Sequence, residues 1–376
     1  MGSIAVYAPI KPPDHPIASG DRLIARNLMA SLELAGLNPK LASSYIAYSK
    51  RPGDEYLKMR REGAVSEIEK VFDALMTDPP SLWLTYHPYC KAPDWIGPQV
   101  SKRLGIPYVT LEACRTGQGR ENGQDLWAAW RAEAQAGLRQ ADLHLCFKPT
   151  DKAYLIELLG KDAPIADLVP FFDAVVPPKL PSIERPSHWR DDVPQLVTTG
   201  MLRPGKKVKN YKILANALRQ LQTLHWNLVL IGGGPEEETI REFFADFDPA
   251  RLHWTGAISG DEVLSWMSSS DLFVWPGWRE PIGMVYLEAQ LMGLPVAALE
   301  SMGVPLVVEH GVSGLLAQEC QPDENPIALR DNIATLLAHP SLRKDFGTAA
   351  RKRVHELHSL EAASAALKKI LSPMMV

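Results

Sequence analysis

Short apolar runs punctuate the chain, and most of them lead through a turn into a helical stripe. Residues 4–8 (IAVYA) form the first, closed by Pro9. Residues 82–85, 106–111, 143–147, 196–199, 228–231, 252–256 and 296–298 are further examples. Apolar runs of this length, bounded by Gly, Pro or polar turns, read as buried strands. Between them, residues 21–35 place Ile24, Leu28 and Leu32 on one stripe that Gly36 stops. Residues 50–76, 151–159, 211–221, 261–269, 326–337 and 342–358 also read as helices. The tail, 360–371, is apolar at spacings of three and four and predicts a helix packing back on the N-terminal domain. Strand, glycine-bearing loop, then helix is the opening of a doubly wound α/β domain. A chain of 376 residues has room for two. Pro177, Pro178, Pro181 and Pro186 cluster without periodicity and predict a hinge. The expected divisions are 1–178, a hinge at 179–193, 194–355, and a C-terminal helix within 356–376.

One stretch, residues 271–298 (DLFVWPGWREPIGMVYLEAQLMGLPVAA), organises the rest. Residues 272–275 read as a buried strand ending in a Pro276-Gly277 turn, followed by a loop over 278–283. Residues 284–292 read as a helix that Gly293 stops and Pro295 cannot continue. Glu280 therefore lies in a loop at the carboxyl end of a strand, where open α/β sheets bind ligands, and Glu288 lies in the next helix. On one helix, eight residues would separate the two carboxylates by roughly 12 Å. With Glu280 in the loop they line one pocket without sharing a proton. A carboxylate only accepts hydrogen bonds and suits sugar hydroxyls. The amides of Gly283, Met284 and Val285 sit at a helix N-terminus, which favours a phosphate.

Composition narrows the classes. The chain is 46% hydrophobic and 22% charged, with formal net charge −4 and no long basic run, which disfavours a nucleic-acid backbone binder. Any diphosphate must be held by local cations and backbone amides. Cys90, Cys114, Cys146 and Cys320 are far apart and form no CxxC or His/Cys cluster, so neither a zinc site nor a disulfide framework is expected and the compartment is reducing. No charged leader precedes the first strand, and no apolar run is long enough to span a bilayer. The expectation is a cytoplasmic protein with at most peripheral association with the inner membrane face.

Glu280, seven residues, then Glu288, set in EPIGMVYLEAQLMGLPVAA, resembles the E-x7-E signature of family 4 retaining glycosyltransferases. The preceding DLFVWPGWREP is similar to the family's strand and loop, and residues 309–316 (EHGVSGLL) to its later turn. The resemblance is strongest over residues 196–318 and weaker over 4–175. It implies the GT-B architecture: two doubly wound, Rossmann-like parallel-sheet domains facing a cleft whose closure excludes water. In the family an Arg and a Lys after the first strand of the second domain clamp the diphosphate. Here Met201 stands at the usual Arg position, with Arg203 nearby. Counting from the strand selects Lys206 and counting from the helix selects Lys209, with Lys207 between them. Lys207 and Lys209 are ranked ahead of Lys206. Gly20 corresponds to a glycine loop facing the diphosphate, and Ile258 to backbone near the base. Where many members carry a histidine near the donor sugar, this chain has Glu112. Glu112 either takes over that role or pairs with Arg115 or Arg120 at the rim. His87 and Tyr86, after a strand, are candidate acceptor contacts.

The resemblance implies transfer of a sugar from a nucleotide-diphosphate sugar, UDP- or GDP-linked, to a carbohydrate, small-molecule or lipid-linked hydroxyl, with retained anomeric configuration. Glu280, Glu112, Arg203 and Lys207 are the expected catalytic set. Gly20, Lys209, Ile258, Gly283, Met284, Val285 and Glu288 complete the donor contacts. No obligatory metal is expected, because no DxD in a ligand setting is present. A GT-B nucleotide-sugar epimerase and a non-catalytic nucleotide-sugar-binding protein are the alternatives.

Overall fold

The computed structural model describes residues 2–17, 19–114, 120–121, 124–324 and 326–375. The chain divides into two compact units: residues 1–173 with 360–376, and residues 174–359.

The first unit is a parallel six-stranded sheet in the order β2-β1-β3-β4-β7-β8. Its strands are β1 (Ile4–Tyr7), β2 (Pro39–Ser43), β3 (Leu82–Tyr86), β4 (Tyr108–Leu111), β7 (Leu143–Cys146) and β8 (Ile165–Asp167). A short antiparallel ribbon, β5 (Arg120–Glu121) with β6 (Gln124–Asp125), follows β4. Strands β1, β3 and β4 are buried along their whole length, as expected for strands covered on both faces. Trp83 and Tyr7 meet edge-on under the helix Asp54–Leu75. The helix α1 (Gly20–Leu34) is N-capped by the Ser19 side chain, which accepts from the Arg22 amide at 3.2 Å. The C-terminal helix Leu360–Leu371 packs against α1.

The second unit repeats the plan in the order β11-β10-β9-β12-β13-β14. Its strands are β9 (Gln195–Thr199), β10 (Asn227–Ile231), β11 (Leu252–Gly256), β12 (Leu272–Val274), β13 (Val296–Glu300) and β14 (Gly314–Gln318). The helices that matter for the site are α2 (Lys206–Arg219), after β9, and α3 (Met284–Leu291), after β12.

The start of α2 departs from expectation. α2 begins at Lys206, five residues before the expected start at 211. Residues 206–210 (KKVKN) carry no apolar stripe, so periodicity is silent there, although lysine is a good helix former. Gly205 supplies the start, with φ +87° at the N-cap position. Lys206, Lys207 and Lys209 therefore stand on a helix's first turn rather than in a loop. Cations at a helix N-terminus oppose the macrodipole, so this placement is unfavourable unless anionic groups meet it.

Candidate active site

The loop from Trp275 to Gly283 is fixed before any of its polar groups act. Asn210 on α2 is 1% exposed and holds the loop at both backbone groups of Trp278. Its side-chain oxygen accepts from the Trp278 amide at 2.7 Å, and its amide nitrogen donates to the Trp278 carbonyl at 3.1 Å. The Tyr286 hydroxyl donates to the Trp275 carbonyl at 3.0 Å, and Ser301 Oγ accepts from the Arg279 amide at 2.9 Å. Gly277 (φ +71°) cannot be replaced without moving Tyr286, whose hydroxyl would lie 2.1 Å from an added Cβ. Gly283 (φ +82°) turns the chain into α3, and a Cβ there would lie 2.4 Å from the Tyr286 ring.

On this frame Lys207 Nζ lies 3.0 Å from Glu280 Oε2, with side-chain exposures of 27% and 20%. The same ammonium stands 5.0 Å from the centre of the Trp275 ring. Lys206 instead donates to the Arg279 carbonyl at 3.3 Å, and Lys209 lies over the Trp278 ring at 5.2 Å. The structure thus brings Lys207, and neither of its neighbours, to the carboxylate. Arg203 is exposed, and among the described residues its side chain has no partner.

At the start of α3 the amides of Gly283, Met284 and Val285 donate to no acceptor among the described residues, while Tyr286 N already bonds the Gly283 carbonyl at 3.0 Å. Glu288, one turn along, is half-buried, and its carboxylate has no hydrogen-bond partner among the described residues. Burial alone pushes its carboxyl up to about 7. Ile258 follows β11 and is half-buried.

The first unit places a second polar cluster at its strand ends. His87 directly follows β3 and Glu112 directly follows β4; both are non-glycine residues with positive φ, +57° and +59°. Glu112 is 3% exposed and accepts from Lys148 Nζ at 2.8 Å through Oε1. Lys148 also lies 2.9 Å from Asp151 Oδ2. Burial works against charge on Lys148, but the two carboxylates outweigh it and raise its pKa. One cation shared by two buried carboxylates leaves Asp151 raised, because burial prevails there. Glu112 Oε2 has no hydrogen-bond partner among the described residues.

Glu112 is a buried partner of Lys148; Arg115 and the Arg120 side chain, its expected partners, lie outside the described residues. Tyr86 is 2% exposed, and burial with Glu112 nearby raises its pKa, so it belongs to the interior rather than to an acceptor surface. Gly20 is the exposed first residue of α1, and no described residue lies within 4 Å of an added Cβ there. Sequence reasoning missed Asn210, Lys148, Asp151 and Asp21. Only the apolar stripe that begins at Tyr211, the residue after Asn210, hinted at its burial.

Residues 182–353 match the family model of glycosyl transferases group 1. A sulfoquinovosyl transferase of Arabidopsis thaliana is 28% identical over 175 residues, 46% of this chain and 32% of that protein. A GDP-mannose-dependent alpha-(1-6)-phosphatidylinositol monomannoside mannosyltransferase of Mycobacterium tuberculosis is 33% identical over 135 residues, 34% of each chain. The chain thus aligns with about a third of the length of these relatives. Among solved structures, sucrose-phosphate synthase from Thermosynechococcus elongatus superposes with TM-score 0.68 at 18% identity, covering 99% of both chains. Anabaena HepE in complex with UDP superposes with TM-score 0.65 at 15% identity, covering 99% of this chain and 100% of that one. The two parallel six-stranded sheets with flanking helices are the GT-B fold. The matched segment carries Lys207, Glu280 and Glu288.

Proposed function

We propose that this protein transfers a sugar from a nucleotide-diphosphate sugar to an acceptor hydroxyl with retention of anomeric configuration. The observation that carries the reading is the Lys207–Glu280 pair beside the free amides of Gly283, Met284 and Val285. A lysine and two helix N-termini there offer positive potential where a leaving diphosphate would gather charge. An ammonium has three donors, so Lys207 can hold Glu280 and a phosphate oxygen together. Arg203 adds an exposed cation. Glu280 accepts from the donor sugar and Glu288 from the ribose hydroxyls, with the backbone at Ile258 against the base. This scheme asks for no metal, since the lysine and the amides supply the charge. HepE was solved with UDP, which favours a UDP-sugar here, and the mycobacterial relative's GDP-mannose keeps GDP in the test set. A carbohydrate or lipid-linked acceptor fits either donor, the latter with peripheral membrane association.

Glu280→Ala and Glu288→Gln should each lower transfer about tenfold or more, in keeping with lost transition-state contacts. Near-wild-type turnover in both would sink the assignment. Thermal unfolding with UDP, GDP, ADP and CMP, with and without EDTA, identifies the donor class. A ligand at 100 times its dissociation constant adds about 2.7 kcal/mol.

A further inference from the structure

Three side chains of the first unit, from three separate elements, form a relay that glycosyl transfer does not require. Asp21 is the second residue of α1, His87 follows β3 and Cys114 lies just past β4. Asp21 Oδ1 is 3.1 Å from His87 Nδ1, and Cys114 Sγ is 3.4 Å from His87 Nε2. Each imidazole nitrogen thus has its own partner. The ring is stacked on Tyr89 with centroids 5.2 Å apart and planes 27° apart. A short bridge between Tyr89 and Cys114 ties the two backbone segments together. Cys114 is half-exposed, whereas Cys90 and Cys146 are buried. Among the described residues no three His, Cys, Asp or Glu side chains are set to hold a metal ion. A thiol on one ring nitrogen and a carboxylate on the other is the arrangement that activates a cysteine nucleophile.

We propose that Cys114, His87 and Asp21 form an activated thiol, a site of covalent modification by low-molecular-weight disulfides. With the shared proton held on His87, the Cys114 thiolate attacks one sulfur of the disulfide. A new S–S bond forms as the old one breaks, and the departing thiolate takes the proton. One disulfide gives one mixed disulfide and one thiol, with no external oxidant. The groups facing His87 are Asp21 with Lys11 beyond it, Tyr86 and Tyr89, Cys114 and Glu112, and Asp151 behind them. Burial opposes charge on the ring, but Asp21, Cys114 and Glu112 outweigh it, so His87 stays protonated well above the usual histidine range. Burial likewise opposes charge on Asp21, and His87 outweighs it and lowers its pKa. An imidazolium 3.4 Å from the sulfur is the electrostatic partner that a cysteine nucleophile uses.

The test is alkylation of the full chain by iodoacetamide between about pH 5.5 and pH 9, read cysteine by cysteine by mass spectrometry. Cys320, half-exposed in the second unit, is the internal reference. Near pH 6.5, Cys114 should react about ten times faster than Cys320, and its rate should level off below the usual thiol pKa of roughly 8.5. His87→Gln should remove that advantage and Asp21→Asn reduce it. Glutathione disulfide should mark Cys114 first. Labelling no faster than Cys320, or an advantage that survives His87→Gln, overturns the assignment. If His87→Gln exposes Cys90 and Cys146 to label, that variant has unfolded and the wild-type profile decides: a plateau below pH 7 upholds the site, and a rate still climbing through pH 8.5 overturns it.

Discussion

The two units use one fold and put polar groups at the same kind of place, the carboxyl ends of parallel strands, yet they treat charge in opposite ways. In the second unit the Lys207–Glu280 pair is partly open, the α3 amides have no described acceptor, and Glu288 stands without a partner. In the first unit Glu112 and Asp151 share the Lys148 ammonium almost entirely out of water. An open, under-satisfied cluster is suited to meeting a charged ligand, because partners can be exchanged without exposing a bare buried ion. A closed cluster fixes geometry, and removing one member strands the others.

The sharpest way to break this contrast is Lys148→Met. It leaves two buried carboxylates without their cation, and stability to urea should fall by about 3–5 kcal/mol. A loss below about 1 kcal/mol would mean the cluster is already well solvated, and the contrast would fail. Asn210→Ala comes next. It orphans the amide and carbonyl of Trp278 in the interior, with an expected cost of about 1–3 kcal/mol in chemical denaturation and looser binding of any diphosphate.

Glu288 offers a pH test with a definite sign. Its folded pKa of about 7 lies above the unfolded carboxylate value, so the folded state holds its proton more tightly. The resulting loss of stability sets in as pH rises from the ordinary carboxylate range through about 7, and is complete above it. Glu288→Gln should therefore raise the melting temperature at pH 8 while lowering transfer, and change stability little at pH 4. Hydroxyl donors prefer the ionised form, so nucleoside-diphosphate affinity should improve as pH rises through 7, and the variant should lose that dependence. The smallest effect separates the lysines. Lys207→Ala should weaken diphosphate binding more than Lys209→Ala, whose ammonium rests over Trp278, as a titration of the two variants side by side would show.

The E-x7-E stretch was legible because strand, turn, loop and helix are contiguous there: Glu280 and Glu288 fall in place once Pro276-Gly277 and Gly293 fix the boundaries. Lysine choice was not legible, since the start of α2 depends on Gly205 taking φ +87° and on Glu280 meeting the first turn, neither of which leaves an apolar period. The first-unit cluster was less legible still. Asp21, His87, Glu112, Cys114, Lys148 and Asp151 come from four strand–helix junctions spread over 130 residues of sequence, counting from 21 to 151. Local pattern, set by alternation, stripes and turn residues, determined most strands and helices, the doubly wound plan and the two glutamates. Which lysine meets Glu280, that Asn210 braces the loop, and that Glu112 faces Lys148 were decided only when parallel pairing set distant strand ends side by side. Charge pairing depends on distance and burial in space, and neither is a property of a single stretch of chain.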